Sequence, residues 1–118
     1  MILYEHNSEQ ENFPFIKLSK KELIIEGESY MEDSFEFYIQ LIHSIRKNKE
    51  SLKDLKVNIK LGYINTSSSK CIYDLLYEIK ELTEDITWYY YEHDELLYEE
   101  IEDLETILDI KIEKIQYS

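Results

Sequence analysis

From Leu55 to Tyr63 apolar residues fall at every second position: Leu55, Val57, Ile59, Leu61 and Tyr63, with Lys56, Asn58, Lys60 and Gly62 between them. A strand turns successive side chains to opposite faces, so this stretch predicts a strand with one buried side. The period changes on either side of it. Phe35, Tyr38, Ile39, Ile42 and Ile45 recur at spacings of three and four, widened by Phe37 and Leu41. They predict a helix capped by Asp33 or Ser34 that runs to about Lys47. Ile72, Leu75, Leu76, Ile79 and Leu82 predict a second helix over 67–82, and Leu97, Ile101, Leu104 and Leu108 a third over 94–108. Short apolar runs at 2–4, 15–18, 23–26, 85–92 and 110–117 read as strands, with 15–18 and 23–26 forming a hairpin about Ser19-Lys20-Lys21. Residues 27–34 read as a turn.

The order β-β-β-α-β-α-β-α-β predicts a single α/β domain over 1–118, with three helices and a mixed, mostly parallel sheet beyond an N-terminal β-hairpin. Strict alternation in the 55–63 strand further predicts that one sheet face is incompletely covered. Tyr89, Tyr91 and the lysine side of that strand would then be partly wet.

Composition narrows the function. The 118 residues hold 26 acidic side chains against 13 basic, a formal charge of −13, and that field opposes binding to nucleic acid. Two glycines and one proline argue against a long linker or disordered tail. No stretch has the apolar length of a membrane span, and Met-Ile-Leu-Tyr-Glu-His lacks the basic and apolar regions of a signal peptide. Cys71 is the one cysteine, so no internal disulfide forms. A cytoplasmic protein without membrane contact is expected. Charge is unevenly spread: between Glu84 and Glu105 there is no Lys or Arg, whereas Arg46, Lys47, Lys49, Lys53, Lys56 and Lys60 cluster. The bland reading is a solvated acidic helix beside a basic loop; the sharper one is a polarised surface that steers a protein partner.

One stretch carries the chemistry. Asn65-Thr66-Ser67-Ser68-Ser69-Lys70 follows the predicted strand and opens a helix, where backbone N–H groups lack partners. Asn65, Thr66 or Ser67 can cap those donors, a contribution of about 1 kcal/mol. One side chain suffices for a cap, and four hydroxyls are present. The functional reading is a phosphorylation site whose added charge the helix N-terminus and Lys70, in its first turn, would receive. The Glu92-His93-Asp94-Glu95 loop, after the next parallel strand, would share the rim and oppose the phosphate. Spacing alone favours capping and leaves the four hydroxyls interchangeable as acceptors.

Other constellations are weaker. The 92–95 loop offers oxygen donors suited to Mg²⁺ or Ca²⁺, but its spacing matches no calcium-loop pattern, and a solvated turn is preferred. No metal site and no cofactor is expected. His6, His43 and His93 sit on different elements and form no ligand or catalytic pair. Cys71, near a helix N-terminus, is open to a lowered pKa, although a small half-buried packing residue is the preferred reading.

The sequence resembles the SiaC-type regulatory phosphoproteins, small bacterial domains likened to anti-sigma-factor antagonists of the STAS class. Four stretches carry the resemblance: Leu23-Ile-Ile-Glu-Gly-Glu-Ser-Tyr30, Glu36-Phe-Tyr38, Tyr63-Ile-Asn-Thr-Ser-Ser-Ser-Lys-Cys71, and Trp88-Tyr-Tyr90 followed by acidic residues. The resemblance implies a STAS-like fold and a non-enzymatic switch. Met31 stands where the family pattern has proline, and Tyr91 where it has aspartate. The family's phosphorylated threonine maps onto Thr66, with Asn65, Ser67, Ser68, Ser69 and Lys70 as the switch loop. A histidine-kinase-like Ser/Thr protein kinase would add the phosphate and a PP2C-type phosphatase remove it. The unphosphorylated form would bind and activate an effector enzyme, a diguanylate cyclase, raising cyclic di-GMP and favouring biofilm. Tyr63, Tyr73, Glu92, His93 and Asp94 would form the partner rim. Two alternatives stand beside this reading: an unswitched acidic interaction module, and a small metal-dependent hydrolase built on the 92–95 loop.

Overall fold

The computed structural model describes residues 1–7 and 12–118. The chain runs β1 (Ile2–His6), β2 (Phe15–Ser19), β3 (Glu22–Ser29), α1 (Ser34–Lys47), β4 (Lys56–Ile64), α2 (Thr66–Ile79), β5 (Ile86–Tyr91), α3 (Glu95–Leu108) and β6 (Glu113–Tyr117), with a short 3-10 turn at Lys49–Ser51. This is the predicted order. The six strands lie side by side in chain order in one sheet. The first three pair antiparallel, and β3 through β6 pair parallel.

Each parallel step is a strand–helix–strand crossover, and successive right-handed crossovers in one direction stack the helices on one side of the sheet. Burial follows. Val57, Ile59 and Leu61 of β4 and Ile86 and Trp88 of β5 are buried under the helices, while Lys56 and Lys60 stay exposed on the other face. Tyr91 is exposed as expected, and Lys60 lies 4.5 Å from the centre of the Tyr117 ring across that open face.

Three departures from the sequence reading have a physical reason, and α2 also spans Thr66–Ile79 rather than 67–82. The 27–34 segment is not all turn, because β3 continues to Ser29 through an irregularity in register: Gly27 faces Leu61, Glu28 faces Tyr63, and Gly62 is left without a partner. That offset seats Ser29 opposite Ile64, where its carbonyl accepts from the Asn65 N–H at 3.0 Å. In α1 the buried stripe is Ser34, Phe37, Tyr38, Leu41, Ile42 and Ile45, so Phe35 falls off it and is 63% exposed. Phe37 takes the inward place, edge-on to Tyr38 and His6. The last strand begins at Glu113 rather than Ile110, because the left-handed Asp109 ends α3 and the Ile112 N–H goes to the Glu105 carboxylate instead of a ladder.

Candidate functional site

The β4–α2 junction lies at the carboxyl end of a parallel strand, where the backbone turns from ladder to helix and leaves polar groups unpaired. Asn65 resolves both ends of that problem. Its Oδ1 accepts the Ser68 N–H at 2.9 Å, and its Nδ2 donates to the Met31 carbonyl at 2.9 Å. Asn65 is therefore the cap, and Thr66 is the first helical residue.

The four hydroxyls are not equivalent. Ser68 is fully buried; Ser29 Oγ lies 2.7 Å from its oxygen and Ser34 Oγ 3.0 Å. Ser67 is exposed as a residue, yet its Oγ lies 2.8 Å from Ser34 Oγ and 3.4 Å from Asn65 Oδ1. Ser69 is half-buried and donates to the Glu100 carboxylate of α3. Thr66 is exposed, and among the described residues its hydroxyl has no hydrogen-bond partner.

Lys70 is the fifth residue of α2, one position beyond the first turn where it was expected. It is exposed, has no ion pair among the described residues, and lies four residues after Thr66 on the same helix face. Cys71 is buried, and burial pushes its thiol up rather than down, which removes it as a reactive group.

The acidic rim is built differently from the expectation. β4 and β5 are neighbours, so the two loops do follow adjacent strands. No hydrogen bond or ion pair joins 92–95 to 65–70 among the described residues, and the carboxylate that reaches α2 is Glu100, in the middle of α3. Asp94 caps α3 through the Leu97 N–H at 3.1 Å, and His93 holds a positive φ of 74° beside Glu92, 3.8 Å from its carboxylate. Those residues make a turn. Among the described residues no group of three or more His, Cys, Asp or Glu is placed to hold a metal ion.

Of the remaining rim residues, Tyr63 is 52% exposed and packs edge-on to Tyr30, ring centres 4.8 Å apart, whereas Tyr73 is half-buried against the core. The sequence reading missed Tyr30, Ser29, Ser34, Tyr38 and Glu100 as parts of this site. A signal for two of them existed: Ser34 occupies a core position of the α1 stripe, and Ser29 continues the inward alternation of Leu23 and Ile25. Polar residues at buried positions imply partners.

The family profile for SiaC family regulatory phosphoproteins matches residues 8–117. The chain belongs to the SiaC family. Two solved structures share its fold. Apo-SiaC from Pseudomonas aeruginosa has 23% identity and a TM-score of 0.70, over 98% of this chain and 99% of that one. SiaC in the complex of the diguanylate cyclase SiaD with its activator SiaC, also from Pseudomonas aeruginosa, has 24% identity and a TM-score of 0.77, over 95% and 98%. No curated protein matches the chain significantly. As a SiaC family member the protein is a regulatory phosphoprotein, and the Asn65–Lys70 junction is its candidate switch. Among the described residues no helix is long and apolar enough to cross a membrane.

Proposed function

We propose that this SiaC family protein is a non-enzymatic, cytoplasmic phospho-switch with Thr66 as the acceptor. The observation that carries the reading is the unengaged, exposed hydroxyl of Thr66 beside three hydroxyls already in use. Phosphoryl transfer needs an oxygen that can be placed in line with the donor phosphate, and a free surface hydroxyl meets that need. A histidine-kinase-like Ser/Thr kinase adds the phosphate and a PP2C-type phosphatase removes it.

The effector is an enzyme of the diguanylate cyclase class. The structure of SiaC with the cyclase it activates supports this assignment. Tyr63, Tyr30 and Phe35 supply exposed aromatic area around the junction, with Glu92, His93 and Asp94 further along the rim. A neutral hydroxyl is desolvated in an interface at low cost, whereas a phosphate of about −1.5 to −2 charges is not unless it is paired. Phosphorylation therefore releases the effector, and the unphosphorylated form activates it.

The test is binding of a diguanylate cyclase to wild-type protein and to Thr66→Ala and Thr66→Glu variants. Thr66→Ala should bind as wild type does and Thr66→Glu at least tenfold more weakly; equal binding by all three rejects the switch. A second reading, constitutive docking of a basic partner, draws on the groove in which Asp94, Glu95, Glu99 and Glu102 flank the Tyr90–Tyr98 ring pair. Under that reading Thr66→Glu is silent and charge reversal at Glu99 and Glu102 abolishes binding.

A further inference from the structure

Five hydroxyls from three elements form one chain through the interior. The Tyr38 hydroxyl lies 2.7 Å from Ser29 Oγ, and Ser29 Oγ lies 2.7 Å from Ser68 Oγ. Ser68 Oγ is 3.0 Å from Ser34 Oγ, Ser34 Oγ is 2.8 Å from Ser67 Oγ, and Ser67 reaches Asn65 Oδ1 at 3.4 Å. Each hydroxyl has one proton to give. Tyr38 is fully buried, and burial pushes its hydroxyl well above the ordinary value, so the proton stays on. Among the described residues Ser29 is the partner of that hydroxyl, and a buried O–H must donate or be left unsatisfied.

Tyr38 therefore donates to Ser29 and Ser29 to Ser68, and the bonds continue through Ser34 and Ser67 to Asn65. The direction is set from the buried end as far as Ser68; beyond it either oxygen of each pair can donate, and the Met31 carbonyl, 3.3 Å from Ser34 Oγ, is a second acceptor. The Met31 sulfur, 3.4 to 3.7 Å from Ser34, Ser68 and Ser29, is a weak acceptor and takes second place. The chain ends on the same Oδ1 that caps α2.

We infer that Tyr38, Ser29 and Ser34 determine which hydroxyl is phosphorylated, by committing Ser67 and Ser68 to the fold and leaving Thr66 as the acceptor. The inference rests on the assignment of Thr66 proposed above. Transfer from ATP forms an O–P bond at the acceptor, breaks the bridge to ADP and releases the acceptor's proton. Ser67 Oγ is bonded to Ser34 and to Asn65, so attack from Ser67 must first break both bonds. Ser68 is out of reach altogether. Ser69 shares its proton with a carboxylate that repels an incoming phosphate. Removing the Ser34 hydroxyl cuts the chain beside Ser67, the one committed hydroxyl on an exposed residue.

The test incubates the protein with MgATP and the histidine-kinase-like Ser/Thr kinase and maps phosphate by tandem mass spectrometry. Wild type should carry it on Thr66, Thr66→Ala nowhere in the loop, and Thr66→Ala with Ser34→Ala on Ser67, at least tenfold above the single variant. A folded double variant that stays unmodified overturns the inference, as does Thr66→Ala taking phosphate on Ser67 at the wild-type rate. If Ser34→Ala does not fold, Thr66→Ala with Ser34→Cys, which replaces the hydroxyl beside Ser67 by a weakly donating thiol, gives the same test. Hydroxyl-proton NMR reads the chain without a kinase: slow exchange at Ser29, Ser68 and Tyr38 supports it, and fast exchange rejects it. Wild type modified elsewhere than Thr66 removes the acceptor assignment itself, and is told apart from the other failures because it appears before any substitution.

Discussion

Ser69 of α2 donates its hydroxyl to the Glu100 carboxylate of α3, and Thr66 lies one helical turn before Ser69 on the same face. Lys70 shares that face, four residues from Thr66. A negative charge placed at Thr66 therefore meets a carboxylate and an ammonium together, and the helix N-terminus favours it. Unit charges a few ångströms apart at a wet surface interact by about 1 kcal/mol. Thr66→Glu should accordingly be destabilised by Glu100 and supported by Lys70. Urea denaturation of Thr66→Glu, Glu100→Gln and the double variant should give a coupling of roughly 0.5–1 kcal/mol. Lys70→Ala should lower the stability of Thr66→Glu more than that of wild type. Additive effects would mean that the added charge points away from both.

Asn65 joins two otherwise unpaired groups, the Ser68 N–H and the Met31 carbonyl. Asn65→Ala removes both bonds and the acceptor at the end of the hydroxyl chain, and should cost about 1–2 kcal/mol. Asn65→Asp keeps a capping oxygen and suits the helix N-terminus, but it loses the donor to Met31, so it should fall between alanine and wild type. Midpoints of urea denaturation order the three proteins. An aspartate variant less stable than alanine would mean that a carboxylate facing the Met31 carbonyl costs more than the cap contributes.

The alternation of strands and helices was legible because β4 and the three helices each bury one face, so period two and period 3.6 are written cleanly into their apolar positions. Phe35 misled because apolar identity says nothing about which of several neighbouring faces wins. The stripe centred on Tyr38 and Leu41 leaves Phe35 about 100° off it. The candidate site was legible as a surplus of hydroxyls at a helix start. Which hydroxyl stays free was not legible from spacing, because the decision is made by Ser34, 33 residues from Ser67, and Ser29, 39 residues from Ser68. Glu100 was visible only as one carboxylate in an acidic helix. Long-range partners of small polar side chains leave almost no local pattern.

The two glycines near the junction should respond in opposite ways. Gly27 holds φ at +115°, a conformation in which an added side chain is strained, so Gly27→Ala should cost about 1–3 kcal/mol. Gly62, the unpaired residue of β4, has open space where a Cβ would stand. Gly62→Ala should lie within about 0.5 kcal/mol of wild type, because the chain loses less entropy on folding and nothing must move. Thermal melts of the two variants decide this. A Gly62→Ala melting temperature as low as that of Gly27→Ala would mean that the register shift itself requires glycine.

Edge strand β6 is tied to α3 by Glu105, which accepts from the Ile112 N–H at 2.8 Å and pairs with Lys114. Burial alone would push the Glu105 carboxyl up. The Ile112 N–H and the Lys114 side chain, with the charge of Lys111 behind them, outweigh burial and hold it below its ordinary value of 4.5. A carboxyl with a depressed folded pKa binds its proton less readily folded than unfolded. Its contribution is therefore fully present above 4.5 and is lost as pH falls through the folded value. Glu105→Gln should cost about 1–3 kcal/mol at neutral pH, since a charge-assisted bond is replaced and Lys114 loses its partner. Urea midpoints measured from neutral pH to about pH 3 should show the wild-type and Glu105→Gln curves converging in acid. Curves that stay parallel would mean that Glu105 contributes through packing rather than charge, and that the last strand is held by its ladder to β5 alone.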